Sequence, residues 1–190
     1  NLWIGTAGGG VLKLNHESFS HITETEGLAK RYVFSVYEDK EANLWIGTWR
    51  GGVYVYNGHT FKIYTTKQGL PNNDIRKICR DRYGNLWFAT YRGVAKFDGN
   101  YFAYLDKSNG LADDDVNTIV EDVSGNIWIG TENGVSKYDG KTLINYFSNR
   151  IDFKVYCITQ DRTGNIWFGS NVGIYKYDGK IFSQLTNTDV

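Results

Sequence analysis

A six-residue motif recurs five times along the chain, and its spacing restricts the fold more than any other feature. The motif reads Asn-Leu/Ile-Trp-Ile/Phe-Gly/Ala-Thr/Ser, and its tryptophans are Trp3, Trp45, Trp87, Trp128 and Trp167. The intervals between successive tryptophans are 42, 42, 41 and 39 residues. A period near 40 residues indicates a repeat architecture, in which each unit buries its apolar surface against its neighbours.

Each repeat divides into four short predicted strands, which we call A to D. Strand A has apolar residues three apart, as at Ile75 and Ile78, and ends in an Asp-x-x-Gly turn such as 81–84. Strand B is the tryptophan motif, which is apolar on both faces and should be buried on both sides. Its glycine should allow a bulky group to approach the backbone, and the tryptophan of a neighbouring sheet is the candidate.

Strands C and D flank an Asn-Gly or Asp-Gly pair in four of the repeats, for example Asp98-Gly99. This pair favours a tight β-hairpin, because both central residues of the turn adopt positive φ. No segment has a sustained helical period. Four antiparallel strands joined by tight turns form a small sheet with two apolar faces, which is stable only when stacked copies cover those faces.

We therefore predict an all-β protein, a β-propeller built from five four-stranded repeats of about 40 residues. There are five B-C-D sets but four A strands, so one inner strand is missing at the ends. A linear stack of β-repeats is the alternative. The ends fall at equivalent points near a blade boundary, which favours an excerpt of a longer array over a closed five-bladed ring. The predicted repeats of this single domain, 1–190, are 1–42, 43–84, 85–125, 126–164 and 165–190.

Composition narrows the possible partners. Lys+Arg and Asp+Glu each number 21, so there is no basic excess to neutralise nucleic-acid phosphates, and no polybasic stretch suits an anionic membrane surface. No apolar run is long enough to cross a bilayer, and no signal peptide opens the chain. The two cysteines form no metal or disulfide framework. The acidic run 113–115 lacks the spacing of a calcium loop, so we expect no metal and no cofactor.

The repeat resembles that of the two-component regulator propeller family. Residues Gly69-Leu70-Pro71, followed by Ile75, Ile78, Asp81 and 84–87, match its pattern closely, whereas the segment 148–151 departs from it. The resemblance covers essentially the whole chain. It implies the extracytoplasmic sensor of a membrane receptor, periplasmic or extracellular in a bacterium, and many such sensors are associated with recognition of glycan fragments.

Candidate binding residues lie in the loops that a propeller presents on one face, the B–C turns and the D–A loops. Trp49-Arg50 and Tyr91-Arg92 stand out, because an aromatic ring beside a guanidinium suits stacking on a sugar and binding of a carboxylate or sulfate. The full set of candidates is Trp49, Arg50, Tyr91, Arg92, Glu132, Asn133, Arg31, Tyr32 and Asp74.

A catalytic role is not expected. Streptogramin-lyase propellers have repeats of related character, and their chemistry needs a general base such as histidine in the central funnel. The three histidines here, His16, His21 and His59, fall on or beside the C–D hairpin or strand D, toward the outer rim. We therefore predict a non-catalytic ligand-binding sensor, with oligosaccharide or another small ligand as the partner. The alternative is a protein-interaction scaffold, including a homodimer formed through open blade edges.

Overall fold

The computed structural model describes residues 2–15, 18–30, 32–148, 150 and 152–185, and within them every sheet is antiparallel. Each sheet follows chain order, and we number the sheets 1 to 5. Sheet 1 contains three strands, β1 (Leu2–Gly5), β2 (Val11–Asn15) and β3 (Ser18–Ile22). Sheet 2 contains β4 (Val33–Glu38), β5 (Leu44–Thr48), β6 (Gly52–Tyr56) and β7 (Phe61–Tyr64).

The remaining three sheets repeat the four-stranded pattern. Sheet 3 contains β8 (Ile75–Arg80), β9 (Leu86–Thr90), β10 (Gly93–Phe97) and β11 (Phe102–Leu105). Sheet 4 contains β12 (Val116–Glu121), β13 (Ile127–Thr131), β14 (Gly134–Tyr138) and β15 (Leu143–Tyr146). Sheet 5 contains β16 (Val155–Gln160), β17 (Ile166–Ser170), β18 (Gly173–Tyr177) and β19 (Phe182–Gln184). The chain therefore forms five propeller blades, and sheet 1 lacks strand A as predicted.

Successive blades are joined by apolar cores. In the part of the chain that the structure describes, one hydrophobic cluster fills each interface between neighbouring sheets, from sheets 1 and 2 to sheets 4 and 5. The A strands of neighbouring sheets contact one another and form the inner edge of the row of blades. Strand B is wholly buried in sheets 2, 3 and 4, in agreement with its two apolar faces.

The glycine of strand B admits a different group from the one predicted. A Cβ atom at Gly47 would lie 2.8 Å from Ile75 Cγ2, and one at Gly130 would lie 2.8 Å from Val155 Cγ1. The group that approaches the backbone is thus the branched residue that opens strand A of the next blade, and the prediction of a neighbouring tryptophan was wrong. The reason is that the tryptophan ring is held by a hydrogen bond within its own blade.

The turn between strands A and B holds that tryptophan in place. The Asp81 carboxylate accepts hydrogen bonds from the backbone N–H groups of Tyr83 and Asn85, from Asn85 Nδ2 at 2.7 Å and from Trp87 Nε1 at 2.9 Å. The same aspartate–indole bond joins Asp39 to Trp45, Asp122 to Trp128 and Asp161 to Trp167. One side chain therefore orders the turn and pairs the indole N–H, which would be costly to leave unpaired in the core.

The D–A loops that enter sheets 2, 3 and 4 each contain a single turn of 3₁₀ helix among their described residues, which the sequence did not predict. These turns are Glu24–Glu26, Thr66–Gln68 and Lys107–Asn109. Each begins with a capping box and ends at a glycine in the left-handed conformation. The loops therefore have a defined backbone path toward the next blade. In the described residues no helix is long and apolar enough to cross a membrane.

We predict that Asp81→Ala lowers the free energy of unfolding by about 2–3 kcal/mol, because it leaves the indole N–H of the buried Trp87 unpaired. Hydrogen bonds from Asn85 and Trp87 hold the pKa of Asp81 below its usual 3.8, although its partial burial alone would raise it. The contribution of this carboxylate should thus be complete above the pKa of the unfolded chain and be lost as the pH falls through the lower folded pKa.

Urea unfolding at neutral and acidic pH tests this prediction. The difference between wild type and Asp81→Ala should shrink on acidification. The matched control is Asp98→Ala, since Asp98 caps an exposed hairpin and binds no tryptophan. An equal loss of stability in the two variants would contradict the role of the indole bond.

Candidate functional site

The B–C turns and the D–A loops share one face of the blades, which we call the loop face. In sheets 2, 4 and 5 a backbone hydrogen bond joins the B–C turn to the D–A loop that leads into the sheet. Trp49 N–H donates to Tyr32 O at 3.0 Å, Glu132 N–H to Asp115 O at 2.8 Å and Asn171 N–H to Lys154 O at 3.1 Å. The fold therefore brings together candidate residues that lie 17 positions apart in the sequence.

A β-bulge lies beside the loop face in every strand A. In sheet 2, Val33 pairs with Thr48 and Ser35 with Gly47, which leaves Phe34 as an extra residue. The same register shift occurs in sheets 3, 4 and 5. The extra residues are Phe34, Arg76, Asn117 and Tyr156. Bulges of this kind redirect a side chain without disturbing the remaining ladder.

An open depression of about 310 Å³ lies at the sheet 2 end of the loop face. We call it the aromatic–cation depression, and it is lined by Glu24, Ala29, Lys30, Tyr32, Trp49 and Arg50. The Tyr32 and Trp49 rings meet edge to face with their centroids 5.5 Å apart, and both rings are about half exposed. The Arg50 guanidinium carbon lies 4.6 Å from the centroid of the Trp49 ring. Three of the predicted residues thus form one surface.

The backbone at Arg50 holds a conformation that favours glycine. Its φ is 58°, and its N–H donates to Asp74 Oδ1 at 2.6 Å. A left-handed conformation at a residue with a long side chain carries a free-energy cost, and such positions cluster at ligand sites. Asp74, also predicted from the sequence, therefore acts on the depression through the Arg50 backbone.

A chain of polar contacts crosses sheets 3 to 5 on the same face. Arg76 lies over the Tyr91 ring at 4.5 Å, forms an ion pair with Asp115 at 2.5 Å and donates to Asn117 Oδ1. Asn117 Nδ2 in turn donates to Glu132 Oε1 at 3.0 Å.

Lys154 is the last residue in this row of polar contacts. Its ammonium lies 3.2 Å from Glu132 Oε2 and 3.6 Å from Asp152 Oδ1. Both cations of this row of contacts, Arg76 and Lys154, are paired with carboxylates. The network therefore connects blades and leaves neither cation free to bind a ligand anion.

The pKa values of the acidic side chains in this row of polar contacts are shifted. Partial burial raises the pKa of Asp115 and outweighs the attraction of the Arg76 guanidinium, and the nearby Glu132 carboxylate adds to the rise. Burial would also raise the pKa of Glu132, but hydrogen bonds from Asn117 and Lys154 hold it below its usual value. The hydrogen bond and charge of Glu132 raise the pKa of Lys154.

The other predicted residues take separate positions. Arg92 is exposed at its turn, and its N–H donates to Thr90 Oγ1 at 3.0 Å. Asn133 Oδ1 is buried and has no hydrogen-bond partner in the part of the chain that the structure describes. Arg31 lies outside the described residues. The binding roles of all these residues remain predictions.

Sequence reasoning missed the bulge residues Arg76 and Asn117, which connect the blades, and also Lys30. The available signal was variation within the repeat. The residue before the bulge is always Val or Ile, whereas the bulge residue is Phe, Arg, Asn or Tyr. A position that varies between otherwise similar units is free of the shared packing requirement, so its side chain can serve another purpose.

The described histidines lie in the outer part of the blades. His21 is in the outer strand β3, His59 is in the hairpin between β6 and β7, and His16 lies outside the described residues. Within the described ranges, no group of three or more His, Cys, Asp or Glu side chains could hold a metal ion.

The model of the two-component regulator propeller family matches residues 27–50, 69–92, 110–133 and 154–172. Each of these matches begins in a D–A loop and ends in the B–C turn, so it includes a bulge and its loop-face neighbours. No curated protein matches the chain.

Three solved structures illustrate the similarity of the fold. The extracellular domain of BT3049 from B. thetaiotaomicron, assigned as a hybrid two-component system, is 30% identical with a TM-score of 0.81, over 94% of this chain and 26% of that one. The extracellular domain of BT4673 from the same organism, assigned as a one-component system, is 22% identical with a TM-score of 0.79, over 97% of this chain and 28% of that one. The chain thus spans about a quarter of the length of these proteins.

A catalytically inactive virginiamycin B lyase from Staphylococcus aureus has the same fold at lower identity. It is 11% identical with a TM-score of 0.72, over 94% of this chain and 63% of that one. At this identity the likeness concerns the propeller fold alone.

We predict that Arg76→Met raises the pKa of Asp115 further, because the variant removes the cation that favours the ionised carboxylate. Carboxyl-carbon NMR titration measures this shift. The control is Arg82→Met, since Arg82 pairs with Glu121 at 2.8 Å on the opposite face. An unchanged Asp115 pKa in Arg76→Met would contradict the ion pair.

Proposed function

Because the chain belongs to the two-component regulator propeller family, we propose that it is a non-catalytic ligand-recognition part of an extracytoplasmic sensor. The similar extracellular domains of bacterial regulators support this assignment and a periplasmic or extracellular location. The ligand that we propose is a glycan fragment, bound at the loop face.

One observation carries this proposal: side chains vary between repeats where they reach the loop face, and two exposed aromatic rings meet there. Tyr32 and Trp49 are 49% and 41% exposed, whereas the motif tryptophans of sheets 2 to 4 are buried. A half-exposed Trp-Tyr pair in a depression offers a rigid apolar surface beside polar groups, which suits the apolar face of a pyranose ring. The scaffold does not need a ring at the position of Trp49, because sheets 4 and 5 have Glu132 and Asn171 there.

A non-catalytic role is proposed from the placement of the histidines. His21 is exposed on the outer strand of sheet 1 and His59 on the outer hairpin of sheet 2, where a reaction would be open to bulk water. The lyase of similar fold therefore serves as a guide to the scaffold only.

Binding to an array of neutral and acidic oligosaccharides tests the proposed function. We expect at least one glycan to bind, and Trp49→Ala to weaken that binding about tenfold or more, as truncation of a central aromatic contact does. The matched control is Tyr101→Ala, since Tyr101 is 77% exposed on the hairpin of the opposite face. Absence of glycan binding, or equal binding by both variants, would contradict the proposal.

A second candidate function is assembly through the end blades. Leu2 and Ile4 of sheet 1 are 55% and 38% exposed, whereas Leu44 and Ile46 at the same positions of sheet 2 are buried. At the other end Ile174 is exposed, although Val53 at its position in sheet 2 is buried. Within the described ranges, no hydrophobic cluster joins sheet 1 to sheet 5. Apolar sheet faces of this kind favour association.

Light scattering of the 21.6 kDa chain tests this second candidate. Pairing of two copies through the end faces predicts a mass of about twice the monomer, by the closed twofold symmetry usual for homodimers. Ile4→Lys should shift the mass to that of a monomer, and Val123→Lys, at an exposed turn residue, should not. A monomer at all concentrations would exclude self-assembly.

A further inference from the structure

We propose that the aromatic–cation depression binds an acidic sugar, whose carboxylate or sulfate is held between Lys30 and Arg50. This inference rests on the proposed function and specifies the substrate class of the same site. It is carried by the combination of the exposed Tyr32–Trp49 pair with two cations that have no ion-pair partner among the described residues.

Three other cations of the loop face contrast with these two. Arg76 is paired with Asp115, Lys107 with Asp113 at 3.7 Å, and Lys154 with Glu132. Their charges are satisfied within the protein, so a ligand anion would have to displace a carboxylate. Among the described residues no carboxylate is ion-paired with Lys30 or Arg50, so an anion bound there would not have to displace one.

The side chain of Lys30 is positioned by the local backbone. A Cβ atom at Gly51 would lie 2.5 Å from Lys30 Cγ, so the lysine stem packs directly on this glycine. The B–C turn of sheet 2 has Gly51 and Gly52 in succession, whereas the turns of sheets 3, 4 and 5 have one glycine each. The additional residue thus makes room for Lys30 beside Arg50.

Arg50 is positioned by different contacts. Its N–H is bound by Asp74, and its guanidinium lies over the Trp49 ring. A guanidinium stacked on a ring directs its five N–H groups outward in its own plane, where a carboxylate or sulfate can accept two of them together. The stacking therefore orients the arginine and leaves its hydrogen-bonding edge available to the ligand.

The charge of the depression favours an anion. Lys30 and Arg50 contribute two positive charges, and Glu24 is the single carboxylate among the described residues that line it. In the sequence Arg31 follows Lys30, outside the described residues. A sugar ring beside Tyr32 and Trp49 would place its acidic substituent within reach of both cations.

The experiment uses an oligosaccharide panel in matched pairs: uronic-acid oligosaccharides with their carboxyl-reduced forms, and sulfated oligosaccharides with their desulfated forms. We expect the acidic member of at least one pair to bind roughly fivefold or more tightly, with the preference falling at high salt, as for partly exposed charges. The type of pair that shows the preference distinguishes carboxylate from sulfate.

Two variants connect this preference to the proposed residues. Lys30→Gln and Arg50→Asn should each reduce the acidic preference roughly threefold or more while neutral binding persists. Asparagine is chosen at position 50 because it tolerates a positive φ. Arg50→Lys should retain part of the preference, which separates loss of charge from loss of fold. Lys180→Gln and Arg162→Asn, at exposed residues on the opposite face, are the controls.

The outcomes separate this inference from the proposed function. Equal binding of acidic and neutral members, with both lost in Trp49→Ala, would overturn the acidic specificity and leave glycan recognition in place. An acidic preference that survives in both Lys30→Gln and Arg50→Asn would overturn the assignment of these cations. Absence of binding to any member of the panel would overturn both proposals.

Discussion

The hydrogen bond from the motif tryptophan to the aspartate of the preceding turn is the interaction on which each complete blade depends. It connects the tight turn between strands A and B to the largest side chain of the blade interface. Sheet 1 has neither strand A nor this turn, and there Trp3 Nε1 donates instead to Glu38 Oε2 of the neighbouring sheet at 2.9 Å. An indole N–H at a blade interface thus finds an acceptor even where its own turn is missing, since an unpaired donor would be costly.

The two faces of the propeller have different roles: one carries stabilising turns and the other carries variable side chains. The A–B turns carry repeated Asp and Asn residues that stabilise the blades. At the loop face the backbone bonds between D–A loops and B–C turns need no particular side chains. Phe34, Arg76, Asn117 and Tyr156 occupy equivalent bulges with unrelated chemistry. Functional variation can therefore gather at the loop face without loss of stability, as is usual for loops on a rigid scaffold.

Much of the scaffold could be predicted from the sequence, because local rules determine it: the period, the turn residues and the apolar faces of strand B. The family resemblance was confirmed by the same repeats. The prediction for the strand B glycine failed, since the identity of a neighbour across a blade interface depends on relative blade positions. The bulges were missed because no residue type is common to the four bulge positions, so only the variation between repeats marks them. Lys30 was missed because its packing on Gly51 is set by the meeting of two loops.

The sequence by itself determined the number of repeats, the order of strands within each blade and the face on which variable loops emerge, because these follow from spacing and turn chemistry. Only the tertiary structure decided which variable residues act together. Arg50 and Arg76 each lie close to an aromatic ring, yet Arg76 is paired with Asp115 from the next blade, whereas Arg50 has no ion-pair partner among the described residues. That distinction depends on distances between residues on different blades. Hydrophobic packing between the sheets determines these distances, and no local sequence pattern encodes them.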